Sequence, residues 1–199
     1  MKINTIFLSI LLCFLASSCV KEKLETIYKK QETQIDSYLT KNNTAKRDSV
    51  IVNADGTTRD TTWTDTLRIA YNKGTARLVK KEGSGPKLSE HGAVSFYYAG
   101  YIFKSGSVSN SNLFATNHQA TAESSNFATT DPDYSLMEVN MADTEMLEGL
   151  RNGLVGVQAG EECEIIFNAK YGYGNRTFGI IPVNSALLYR IWVVGVSND

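Results

Sequence analysis

Apolar residues recur along this chain at two spacings, one helical and one alternating. Between residues 144 and 154, Met146, Leu147, Leu150 and Leu154 fall at helical spacing behind Thr144, a residue type that caps helix N-termini, so a short helix over 145–154 with one covered face is predicted. Beyond Gly160, Cys163, Ile165 and Phe167 alternate with Glu162, Glu164 and Ile166, the period-two pattern of a strand with one buried face. Leu187, Tyr189, Ile191 and Val193 repeat that pattern in a closing strand. Between the two strands lie Tyr171-Gly172-Tyr173-Gly174 and Gly179-Ile180-Ile181-Pro182, where glycine and proline signal a loop. Aromatic and branched apolar side chains in such a loop are placed to meet something apolar.

The front of the chain follows other patterns. Leu24, Ile27, Tyr28, Ile35, Tyr38 and Leu39 form one stripe on a predicted helix over 21–44, with Lys, Glu, Gln and Asp on its other faces. Such a narrow stripe needs a partner: either the helix lies back on its own domain or it self-associates as a homodimer through a heptad-like seam. Residues 42–46 read as a linker. The β-rich stretches 49–52 and 62–71 are joined through Asn53-Ala54-Asp55-Gly56, whose Asp-Gly favours a hairpin, and Asn72-Lys73-Gly74 turns the chain again into 76–80. Trp63 reads as a cross-strand packing residue. In the strand around 94–100, alternation puts Phe96 and Tyr98 on one face and Tyr97 on the other. From 104 to 133 the chain is rich in Ser, Asn, Thr and Ala, with Phe114 and Phe127 isolated, and reads as a long loop with little to add to a core.

Charge and cysteine content narrow the chemistry. With a formal net charge of −1 and 42% hydrophobic residues, the chain offers no basic stripe to neutralise phosphates, which argues against nucleic acid as a partner. Residues 1–18 combine Lys2, an apolar run from Ile6 to Leu15 and a small-residue exit, the marks of a secretory signal rather than a membrane span. Leu15-Ala16-Ser17-Ser18-Cys19 resembles a bacterial lipobox, which implies acylation of Cys19 and attachment to a membrane of the cell envelope, on its periplasmic side or outer surface. Cys13 then leaves with the signal and Cys163 alone remains, too isolated for an intramolecular disulfide and placed in the strand pattern as a core residue. Two scattered histidines, His91 and His118, make neither a metal site nor a Cys/His pair, and no cofactor is implied.

Taken in order, Leu147-x-Gly149-Leu150-x-x-Gly153-Leu154, a glycine turn, a short strand, Tyr171-Gly172-Tyr173-Gly174, Gly179-Ile180-Ile181-Pro182 and a closing aliphatic strand resemble the C-terminal half of FKBP-type peptidyl-prolyl isomerases. Val94-Ser95-Phe96-Tyr97-Tyr98-Ala99-Gly100 is similar to an upstream strand of that family. The resemblance implies an α+β fold: an FKBP-like antiparallel β-sheet wrapped around a short α-helix, with an N-terminal helical extension. It divides the chain into a signal peptide (1–18), a lipid-anchored helical extension and linker (19–47), a β-hairpin segment (48–77) and an FKBP-like domain (78–199).

The same resemblance implies that proline-containing polypeptides are the partners and that Tyr98, Tyr173 and Leu147 act in catalysis, Tyr173 through its hydroxyl and Leu147 through its backbone N–H. Phe114, Met146, Leu150, Ile180, Ile181 and Tyr189 are implied for substrate binding, with core packing as the other reading for Phe114 and Tyr189. Two positions depart from the family pattern: Leu150 stands where a Trp usually floors the pocket, and Ala115 where an Asp usually sits. A lost indole removes a broad contact for a prolyl ring, so binding should weaken before the fold does. Two functions follow: a prolyl isomerase assisting exported proteins, with reduced activity, or a non-catalytic binding module on the same fold.

Overall fold

The computed structural model describes the backbone of residues 3–52, 57–127, 130–143 and 145–198, with side chains for all of these except 3–20, 47–52, 59–61 and 63. Thr144, the turn 53–56 and the side chains of Cys19 and Trp63, all singled out above, lie outside the described residues. The chain starts with a long helix, α1 (Ile3–Asn42), followed by a hairpin of β1 (Thr44–Val52) and β2 (Thr58–Thr66). Then come β3 (Ile69–Asn72), β4 (Thr75–Lys81), β5 (Ala93–Phe103), β6 (Leu113–Thr116), α2 (Gln119–Ser125), β7 (Met137–Asn140), α3 (Glu148–Leu154), β8 (Glu162–Phe167) and β9 (Ala186–Ser197). Seven of these strands form one antiparallel sheet in the order β3-β4-β8-β9-β5-β6, with β7 also pairing β5.

α3 can lie on this sheet because its motif glycines face it. A Cβ on Gly149 would stand 2.3 Å from the Phe167 ring, and one on Gly153 would stand 2.2 Å from Ile165, so only the absence of a side chain lets the helix approach β8. Leu150 and Leu154 then pack with Phe96, Ile165, Phe167 and Tyr189 in the core between helix and sheet. Cys163 belongs to the same core, and burial pushes its thiol well above the range of an exposed cysteine, which suits an inert packing residue.

The opposite face of the sheet is covered too. Ile35, Tyr38 and Leu39 of α1 are buried against Leu78, Tyr101, Ile166 and Leu188, each worth about 1.5–3 kcal/mol of apolar burial, well above an exposed ion pair such as Lys73–Glu90. The Tyr38 hydroxyl donates to Glu164 Oε2 at 2.9 Å, and Arg190 Nε lies 3.1 Å from Glu164 Oε1, so the buried carboxylate is satisfied. The helix therefore lies back on its own sheet along residues 35–39. Among the described stripe residues, Leu24, Ile27 and Tyr28 towards the N-terminal side are half-buried.

Several boundaries differ from the sequence expectations, each for a physical reason. The pattern of β8 predicts one buried face, yet Ile166 and Glu164 are buried as well, because α1 covers the side that alternation assigns to solvent. Residues 44–46, read as a linker, begin β1 and pair with 64–66. The 48–77 segment divides: β1 and β2 make a separate hairpin, while β3 and β4 join the main sheet through β8. The helix predicted over 145–154 starts at Glu148, since the Asp143 side chain accepts the Glu145 amide at 2.9 Å and holds that stretch as a turn. The described residues of the polar 104–133 stretch also form regular elements. They make up β6 and α2, bury Leu113 and Ala122, and stack His118 on Trp192 with ring centroids 3.9 Å apart.

Candidate functional site

Between α3, the inner face of the sheet and the loop before β9 lies an apolar cavity of about 880 Å³. The size is that of a small-ligand site and exceeds what one prolyl ring fills. Its walls come from distant parts of the chain. β5 contributes Phe96 and Tyr98, whose shared face is the inner one, and β6 contributes Phe114 and Ala115. Phe114 reaches the site because Gly100 lies beneath it: a Cβ there would stand 2.6 Å from the ring. Met146, Leu147 and Leu150 enter from the start of α3, Tyr189 from β9, and Tyr173, Ile180 and Ile181 from the loop.

All nine residues assigned to catalysis or binding from the sequence thus surround one cavity. Tyr189 is both core and wall: it is buried, stacks on Phe167 at 6.0 Å, and meets Phe114 edge-on at 5.7 Å. Leu150 and Ile181 line the cavity as buried residues, 8% and 2% exposed. Leu147 is the residue just before the first turn of α3, where a backbone N–H has no acceptor within the helix. The Arg151 guanidinium donates to the Asp143 and Met146 carbonyls and so holds the approach to that turn.

Burial raises the phenol pKa values of Tyr98, Tyr173 and Tyr189, with the Asp133 carboxylate adding to the effect at Tyr98. All three therefore keep their protons at and above neutral pH and remain hydrogen-bond donors. Tyr98 is fixed at its backbone, where its N–H donates to Asn117 Oδ1 at 2.6 Å and its carbonyl accepts from Thr116 Oγ1 at 2.7 Å. Tyr173 is fixed through its ring, which stacks on Phe178 at 4.4 Å and 6°. Phe178 and Ile180 stay largely exposed at the mouth of the cavity, an apolar lip beside the carboxylates of Glu138, Asp143 and Glu145.

The sequence reading missed Phe96, Phe127, Met137, Val139 and Phe178 as lining residues. Phe178 had a local signal, an aromatic directly before Gly179-Ile180-Ile181-Pro182. Met137 and Val139 carried only a four-residue alternation, and Phe127 comes from the stretch read as a polar loop.

The family model described as FKBP-type peptidyl-prolyl cis-trans isomerase matches residues 85–194, more than half of the 199-residue chain. FK506-binding protein 1 of Aspergillus oryzae is 25% identical over 124 residues, spanning 62% of this chain and 99% of that protein. Among solved structures, a peptidyl-prolyl cis-trans isomerase from Pseudomonas syringae pv. tomato superposes with a TM-score of 0.51 at 17% identity, covering 87% of this chain and 96% of that one. The N-terminal domain of FKBP42 from Arabidopsis thaliana gives 0.51 at 18%, covering 66% and 93%. At such identities the two structures speak to the fold alone.

Proposed function

This chain belongs to the FKBP-type peptidyl-prolyl cis-trans isomerase family, and on that premise we propose that it isomerises X-Pro bonds of exported polypeptides while held to a membrane by acyl chains on Cys19. The observation that carries the catalytic reading is the apolar cavity in which Tyr98, Tyr173, Leu147 and Ile181 meet. An X-Pro bond turns slowly because amide resonance sets a barrier of roughly 18–20 kcal/mol. Twisting the C–N bond removes that resonance and leaves the carbonyl less polar than in the planar ground state. A site that takes the imide out of water therefore favours the twisted form over the planar one. Here the aromatic and aliphatic walls would hold the prolyl ring while the preceding carbonyl rotates, with the Tyr173 hydroxyl and the Leu147 amide as donors.

Leu150 at the floor and Ala115 beside Phe114 support a second reading, in which the cavity holds a proline-containing partner without turning it over. A proline-isomerisation assay on a Leu-Pro peptide separates the two. Leu150→Trp adds an indole facing a cavity with room for it, and we expect catalytic efficiency to rise about tenfold, equivalent to about 1.36 kcal/mol of added transition-state contact. A wild-type protein that gives no acceleration over the uncatalysed rate, together with a Leu150→Trp variant that binds the peptide but is equally inactive, leaves the binding module.

The anchor rests on the apolar leader and the residues before Cys19. Among the described residues, no helix is long and apolar enough to cross a membrane. Cys19→Ala is expected to move the protein from the detergent phase to the aqueous phase; unaltered protein that incorporates no fatty acid refutes the anchor.

A further inference from the structure

We propose that Gln31, on α1 and outside the residues matched by the family model, is a positioning residue for the pocket, acting through the loop that carries Tyr173 and Ile181. Its amide bonds both ends of that loop. Gln31 Nε2 donates to the Asn184 carbonyl at 2.7 Å, and Gln31 Oε1 accepts from the Ala169 amide at 2.9 Å. Within the loop, the Asn184 amide donates to the Gly174 carbonyl at 2.8 Å, and the Gly174 amide donates to the Ala169 carbonyl at 2.9 Å. The four bonds close a circuit, Gln31 to Asn184 to Gly174 to Ala169 and back to Gln31, around the base of the pocket loop.

The residues between the pinned points are those the pocket uses. Tyr173 directly precedes Gly174, and the Phe178–Ile181 pair, joined by two backbone bonds of 3.0 and 2.8 Å, lies between Gly174 and Asn184. Next along the helix, Glu32 Oε1 accepts from Asn168 Nδ2 at 2.8 Å, and Asn168 Oδ1 accepts from the Lys170 amide at 3.0 Å, so the start of the loop is tied a second time. Ala169 and Asn168 are almost fully buried, so water cannot readily replace a lost acceptor there. Without the helix, the chain from 169 to 184 keeps its internal bonds and loses its two attachments to the rest of the fold through Gln31. A catalytic donor such as the Tyr173 hydroxyl loses effect when displaced by a fraction of the length of a hydrogen bond.

The catalytic half of this proposal rests on the isomerase reading; the loop half does not, and the test separates them. In the purified full-length chain, Gln31→Met keeps the bulk of the side chain and removes both bonds, while Gln31→Glu keeps the acceptor for Ala169 and removes the donor to Asn184. Lys30→Ala, on the exposed side of the same turn, is the control. Residue-resolved hydrogen exchange is expected to speed up about tenfold at the Ala169, Gly174 and Asn184 amides in Gln31→Met, with β5 and β9 unchanged. Gln31→Glu should spare the Ala169 amide and loosen the Asn184 side only. In the isomerisation assay, Gln31→Met should lower kcat about tenfold with KM little changed, and Gln31→Glu should fall between it and wild type. Unchanged exchange across 169–184 in both Gln31 variants overturns the proposal, as does an equal loss of kcat in Lys30→Ala. Faster loop exchange in a chain that never isomerises proline supports the positioning of the loop and counts against the isomerase reading alone.

Discussion

Replacing Arg77 with Met will destabilise the protein by roughly 3–5 kcal/mol, lowering its melting temperature by about 10 °C. Arg77 and Glu161 are both buried in the core, 5% and 0% exposed, with Nε 3.1 Å from Oε1. The same guanidinium donates to the carbonyls of Gly153 and Val155 at 2.8 Å and of Gly156 at 3.2 Å, satisfying the C-terminal end of α3. Removing it leaves a carboxylate without its nearest cation, Arg68 being 3.6 Å away, and three carbonyls without a donor. Burial already raises the Glu161 carboxyl above its ordinary range, against the pull of Arg77 and Arg68. Such a group contributes most when protonated, and its contribution is lost as pH rises through its folded-state pKa. Loss of Arg77 raises that pKa further, so the deficit of the variant should be larger at pH 8 than at pH 5. Arg77→Met/Glu161→Leu should recover part of the loss, because no charge is then stranded, but not the part owed to the helix carbonyls. Urea unfolding at both pH values checks this; a single variant within 1 kcal/mol of wild type at pH 8 would refute it.

The second large effect is on the proposed isomerase activity. Ile181→Asp is expected to lower the rate of proline isomerisation at least a hundredfold while the sheet keeps its fold, since Ile181 is almost fully buried in the wall of the cavity and its backbone is held by Phe178. A carboxylate there brings water into the site and restores solvation to the planar imide, removing the advantage of the twisted form. A hundredfold loss corresponds to about 2.7 kcal/mol of transition-state preference, at 1.36 kcal/mol for each tenfold in rate. Ile181→Val keeps the wall apolar and should stay within about threefold of wild type. Circular dichroism and melting on the same samples distinguish a damaged site from an unfolded protein. A folded Ile181→Asp variant as fast as wild type would remove the wall from the mechanism.

These two residues mark how far the chain could be read without its structure. Ile181 stands out locally, as a branched apolar residue between glycine and proline in a loop, and so does Leu150 by helical spacing, whereas alternation only paired Tyr98 with Phe96 and the family resemblance implied its place in the pocket. The order of those motifs carries the resemblance that implied the sheet and the short helix, while the structure shows that Gly149 and Gly153 let the helix press on β8. Side chains in such patterns answer to neighbours within a few residues, which is why periodicity exposes them. Arg77 and Glu161, Tyr38 and Glu164, and Gln31 with Ala169 and Asn184 show no such pattern, because their partners lie 84, 126, and 138 and 153 positions away. The stripe on α1 required a partner without naming one; the partner is the back of its own sheet, where Ala76, Leu78, Tyr101 and Leu188 offer an apolar face. That choice, and the closure of the loop by Gln31 that follows from it, belongs to the tertiary structure, since complementarity between two surfaces exists only once both have formed.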